Sequence, residues 1–175
     1  MLEKIKTRLL MLIRGENMSK NQNQGLKILT NRKVIIDASD LILGRLASEV
    51  AKRLLMGDKV DVVNADLAII SGSKERIKED YKNKLGTRTL GSQKKAPKHA
   101  RRPETYIRRV IRGMLPWKKK AKGKIAFGRL RVYSGIPSDV NPSLIQTIPK
   151  AKKYLKPSIT VGELMKTFGW KNPLE

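Results

Sequence analysis

The sequence predicts an α/β protein built on a parallel strand–helix–strand unit, and three stretches between residues 33 and 65 predict it. "KVIID" (Lys33 to Asp37) is a short β-branched run closed by the polar turn "ASD", the pattern of a buried strand. "LGRLASEVAKRLLMG" places Leu43, Leu46, Ala47, Val50, Ala51 and Leu54 on one apolar helix face, and Gly57 stops the helix. "KVDVVNA" (Lys59 to Ala65) returns as a second β-branched run. Strand, helix and strand at this spacing favour parallel pairing through a right-handed crossover.

Downstream, "LAIISG" (Leu67 to Gly72) reads as a further strand segment, and "SKERIKEDYKNK" as a mixed-charge helix with Ser73 at its N-cap. Residues 86–103, "GTRTLGSQKKAPKHARRP", lack an apolar period and read as an extended loop ordered only against a partner. A helix follows. Pro103 suits its first turn and Glu104 its positive end. At roughly 100° per residue, Tyr106, Ile107, Val110, Ile111, Met114 and Leu115 fill one half of the wheel. Arg108, Arg109 and Arg112 fill much of the other half, and Pro116 ends the helix. "KKKAKGK" leads through a short helix into what reads as the last strand, "RLRVY" (Arg129 to Tyr133). The Pro-rich remainder closes on "TVGELMKTFGW", where Thr160 and Glu163 match a capping box and Gly169 ends a short helix. At the other end, residues 1–17 carry helical patterning (Ile5, Leu9, Leu12, Ile13), residues 18–33 are polar, and Met18 is an alternative start.

Charge says what the chain is for. The formal net charge is +24, far beyond the needs of solubility, which points to a polyanionic partner. Residues 32–81 hold nine Lys/Arg and nine Asp/Glu, whereas residues 82–131 hold eighteen Lys/Arg against Glu104 alone. The chain therefore divides into a neutral scaffold and a basic grip. Cysteine is absent, which excludes disulfides and thiolate metal sites. The longest early apolar run, "LLMLI", is too short for a membrane span or a secretory signal.

Catalysis is poorly supported. "DASDLILGRLAS" and "ISGSKE" set glycine between strand and helix, but neither matches a phosphate loop or a dinucleotide fingerprint, and ordinary turn chemistry accounts for both. His99 is the only histidine, and the one carboxylate in its basic surroundings is Glu104; a solvated or RNA-facing ring fits it better than a general base. The aspartates at 37, 40, 58, 61 and 66 stand at strand ends and turns, without tight metal-ligand spacing. The arginine stripe of residues 108–112 has no acidic i+4 partners and is flanked by more positive charge, unlike an ordinary solvated face. Trp117 could stack on a base or pack on the core. Nucleic acid is thus preferred over a protein groove, and a membrane surface comes last. Extended basic loops beside a small α/β core suit folded RNA better than sequence-specific DNA. A free RNA- or DNA-binding protein remains the competing reading, and an RNA-processing enzyme is the least favoured.

"LGRLAS", "VNA", "RGMLPW" and "RLRVYSGIP", in this order, resemble the large-subunit ribosomal protein family L-thirteen in its archaeal and eukaryotic branch; the likeness runs over residues 33–137. It implies a three-layer α/β/α fold around a small, mainly parallel sheet; the chain adds extensions at residues 1–32 and 138–175 to the domain at residues 33–137. It also implies a cytoplasmic place on the large ribosomal subunit, as a monomer among neighbouring ribosomal proteins and bound to ribosomal RNA. No enzymatic activity, cofactor, metal, membrane or small-molecule substrate is implied. The N-terminal extension departs from the common family pattern. The candidate rRNA-binding residues are Arg45, Lys74, Arg88, Lys94, Lys95, Lys98, His99, Arg101, Arg102, Arg108, Arg109, Arg112, Trp117, Lys118, Lys119, Lys120, Lys122 and Lys124.

Overall fold

The computed structural model of the chain describes residues 32–89, 91–117, 121–152 and 157–172. Expectations for the N-terminal extension and for Lys118, Lys119 and Lys120 lie outside the described residues.

Two short β-branched runs build the centre of the sheet. β1 (Lys33–Asp37) pairs in parallel with β2 (Lys59–Val63), and β2 pairs in parallel with β4 (Leu130–Val132). A two-residue strand, β5 (Ile145–Gln146), adds in parallel to the other side of β1, giving the order β4-β2-β1-β5. "RLRVY" is therefore not the last strand. β5 and β6 (Ser158–Thr160) follow it, each too short to show period-two alternation within a Pro-rich segment. β3 (Ile69–Ser71) leaves the main sheet and pairs antiparallel with β6.

The crossover helix α1 (Leu43–Met56) buries the six residues that its apolar spacing singles out. Gly57 at φ +112° lets the chain turn, so that the N–H groups of Gly57 and Asp58 reach the carbonyls of Leu54 and Arg53. The Arg129 guanidinium also donates to the Leu54 carbonyl at 3.1 Å, a cation at the negative end of the helix. One basic residue of the grip thus serves the scaffold.

Side chains alternate across a strand, so β1 and β2 divide their apolar residues between two faces. Ile36, Val60 and Val62 join the main core with Leu46, Val50 and Leu54, together with residues of the other helices described below. Ile35 and Val63 point the other way and meet Val140, with Tyr133 and Ile145 packed against them. The α/β class and the small, mainly parallel sheet are as the sequence predicts.

α2 (Lys74–Gly86) contributes Tyr81 to the core. Ser73 holds its N-cap position, but the hydroxyl donates to Glu75 Oε2 at 2.7 Å instead of capping the backbone. α5 (Val161–Thr167) starts as the capping pattern requires, with the Glu163 N–H donating to Thr160 Oγ1 at 3.1 Å. The Glu163 carboxylate turns to Lys74 and Lys78, at 3.4 and 3.8 Å.

The turn after β1 has its own acid sensitivity. Burial opposes the charge of Asp37, but the Ser39 N–H, the Ser39 hydroxyl and the Asn64 amide all donate to Oδ1, at 2.9, 2.7 and 2.9 Å. Together they hold the carboxyl below its ordinary range. A pKa depressed by folding stabilises above the unfolded value of about 3.9, and that stabilisation is lost as pH falls through the folded pKa. Asp37→Ala should cost about 1–3 kcal/mol near neutral pH, with the gap to wild type narrowing as pH falls below the unfolded value of about 3.9. Urea unfolding at neutral pH and below that value checks this.

Candidate nucleic-acid interface

The helix carrying the arginine stripe, α3 (Pro103–Met114), begins on Pro103 as expected, and Glu104 sits in its first turn. There Glu104 Oε1 accepts from the Ser134 hydroxyl at 2.5 Å, tying the helix to the end of β4. Ile107, Ile111 and Leu115 are buried, and Tyr106 and Val110 pack against the core. Met114 departs from the expectation: as the last residue of the helix it is 43% exposed.

The arginines divide as well. Arg108 and Arg112 are exposed, whereas Arg109 is half-buried and close enough to Tyr81 for its charge to act on that phenol. Burial raises the Tyr81 pKa first, and Arg109 and Arg101 partly offset the rise.

A short helix, α4 (Ala121–Gly128), braces the exposed pair. Its Phe127 meets Trp117 edge to face at 5.1 Å. The Arg108 guanidinium lies over the Phe127 ring at 5.1 Å, and that of Arg112 over Trp117 at 5.6 Å. Each stacking contributes about 0.5–1 kcal/mol at an exposed site. More to the point, it fixes two planar five-donor groups on a rigid base while leaving their edges for an anion. Trp117 therefore packs on Phe127 with Arg112 over its face. Gly123 makes this close approach possible. A Cβ there would stand 2.5 Å from the Pro116 carbonyl oxygen and 2.9 Å from the Trp117 nitrogen.

Lys122 and Lys124 are exposed on α4. Arg88, Lys94, Lys95 and Lys98 are exposed along the loop before α3, which holds one 3-10 turn at Gln93–Lys95. The far end of that loop is anchored within the protein itself, a correction to the expectation of order only against a partner. Ala100 is buried, and its carbonyl accepts from the Tyr81 hydroxyl. His99 is half-buried with Nε2 in the interior, so the ring is drawn inward and not simply solvated. Arg101 and Arg102 are exposed at the start of α3. Limited trypsin digestion of the free protein should nick first between Arg88 and Lys95, ahead of the anchor, and a bound RNA should slow that cut several-fold.

Two candidates stand apart from this cluster. Lys74 is engaged with Glu163, and Arg45 reaches the Lys150 carbonyl at 3.4 Å on the far end of α1. The ion pairs seen among the described residues draw their cations from Lys33, Arg53, Lys74 and Lys78, all outside residues 82–131. Arg108, Arg112, Lys122 and Lys124 of the grip are instead exposed. Neither a metal-ligand group nor a helix long and apolar enough to cross a membrane is found among the described residues.

The family model for ribosomal protein L13 matches residues 31–139, which span the core of the sheet, α1, the basic loop, α3 and α4. The chain belongs to the ribosomal protein L13 family. The large ribosomal subunit protein uL13 of Archaeoglobus fulgidus is 38% identical over 162 residues, covering 88% of this chain and 99% of that protein. The uL13 of Methanopyrus kandleri is 42% identical over 144 residues, covering 79% and 88%. That of Methanococcoides burtonii is 43% identical over 142 residues, covering 78% and 98%. These L13 relatives are archaeal, in keeping with the branch that the motifs resemble.

Proposed function

We propose that this protein is a structural constituent of the cytoplasmic large ribosomal subunit, not an enzyme, and that it holds folded ribosomal RNA against its α3–α4 face. Membership of the L13 family supports the ribosomal part of this reading. One observation carries the RNA part: Arg108 and Arg112 are braced on Phe127 and Trp117, and both side chains are exposed where phosphates can reach them. The neutral scaffold positions the grip, and Arg88, Lys94, Lys95, Lys98, Arg101, Arg102, Lys122 and Lys124 extend it over a wide surface. Affinity then comes from phosphate contacts, and selectivity from fitting a rigid surface to one folded RNA shape. Bound in this way, a monomer among other large-subunit proteins supports subunit assembly and, through it, translation.

The test is co-sedimentation. A tagged chain should travel with large subunits and stay with them after a high-salt wash, because a non-specific cation–phosphate binder is stripped as salt rises. Release of the protein at moderate salt, with equal uptake by unrelated RNA, would return the reading to a free nucleic-acid-binding protein.

A further inference from the structure

Beside the start of α3 lies a hollow that the charge pattern alone does not reveal. α5 ends at Thr167, Gly169 takes φ +90°, and the Trp170 N–H returns to the Met165 carbonyl at 3.0 Å. This turn brings the half-buried indole of Trp170 beside the start of α3. Trp170, Lys171 and Gly169 on one side, with Arg101, Arg102 and Glu104 on the other, line an open space of about 500 Å³. That is within the range of sites that hold small organic groups.

We infer that this hollow takes one unstacked RNA nucleotide, its base against Trp170 and its phosphates against Arg101, Arg102 and Lys171. The two tryptophans are placed differently. Trp117 has Phe127 at its edge and Arg112 over its face, whereas among the described residues Trp170 has neither an aromatic ring nor a cation stacked on it. It packs partly against the core, which holds the ring in place, and it lines the hollow. An aromatic platform ringed by cations is how proteins hold splayed-out bases, because every base has a π-face and every nucleotide carries a phosphate. Glu104 gives the hollow polarity. Its carboxylate, anchored by Ser134, repels phosphate at its own end and accepts hydrogen bonds from the amino edge of a base. Arg101 and Arg102 are exposed and immediately precede α3, the helix that carries the face proposed above to bind RNA, and this inference rests on that reading.

The experiment uses the full chain and three RNA hairpins: one fully paired, one with a three-nucleotide bulge, and one with the same bulge made abasic. Wild type should bind the base-bearing bulge about tenfold or more tighter than the abasic one. That ratio should fall towards one in Trp170→Ala and largely survive in Trp170→Phe. Should the alanine variant fail to fold, Trp170→Leu keeps apolar volume without an aromatic face and carries the same expectation. Equal wild-type affinity for the two bulges, or a ratio that survives loss of the ring, overturns the inference. If all three hairpins bind equally and with strong salt dependence, only the nucleotide hollow falls. If none binds with salt dependence, the phosphate-gripping function falls as well.

Discussion

Leu46→Asp should abolish folding. Leu46 is fully buried on α1, at the centre of the core between helix and sheet. Truncation of a buried leucine alone costs about 2–5 kcal/mol, and an unpaired buried carboxylate adds several more. The sum matches or exceeds the roughly 5–15 kcal/mol that holds a domain of this size together. Circular dichroism should show loss of the cooperative thermal transition. Arg112→Ala is the matched control. Its side chain is exposed and touches the protein through the Trp117 ring, so the melting temperature should shift by no more than a few degrees. RNA affinity should nevertheless fall. If Arg112→Ala unfolded the protein, the division of α3 into a core half and an outward half would be wrong.

Gly123→Val should damage stability and binding together. The first side-chain carbon already meets backbone at 2.5 Å, and backbone cannot swing away as a flexible side chain can. α4 must shift, carrying Phe127 away from Trp117 and removing the base on which Arg108 and Arg112 rest. Overpacking of this kind costs about 1–3 kcal/mol. The expected result is a lower melting temperature and RNA binding several-fold weaker in a protein that still folds. Gly128→Ala, on the same helix but with open space at its Cα, should do neither. Thermal melts and filter binding on the two variants make the comparison.

The fold was legible where the physics is local. The α1 face could be read because α3, α4 and the sheet all pack against it, so each residue of the apolar stripe is buried. The α3 face could be read for its middle turns, but Met114 overhangs the end of the helix and Arg109 is drawn towards α2. β5 and β6 were not legible, since two or three residues added to an existing edge need no hydrophobic pattern of their own. In the candidate site, the excess of cations was plain from composition, but its architecture was not. That Arg108 and Arg112 stack on rings from beyond the end of their own helix depends on the close approach at Gly123. Trp170 carried no signal at all, because its companions at residues 101–104 come from a distant part of the sequence. Basic residues also differ in role despite equal charge: Arg129 serves the end of α1 and Lys74 serves Glu163.

The measurement that tests the central claim most directly is a salt titration of binding to the rRNA fragment that the protein protects in a footprint, for wild type and for the variant with Arg108, Arg112, Lys122 and Lys124 replaced by alanine. Every phosphate that is no longer neutralised should take about 0.7–0.9 off the magnitude of the slope of log K against log salt. The four substitutions together should lower it by about 3, and a scrambled RNA should show the same drop as the protected fragment. An unchanged slope, or a drop confined to the protected fragment, would contradict the account, because the braced α3–α4 face would then not be gripping phosphates.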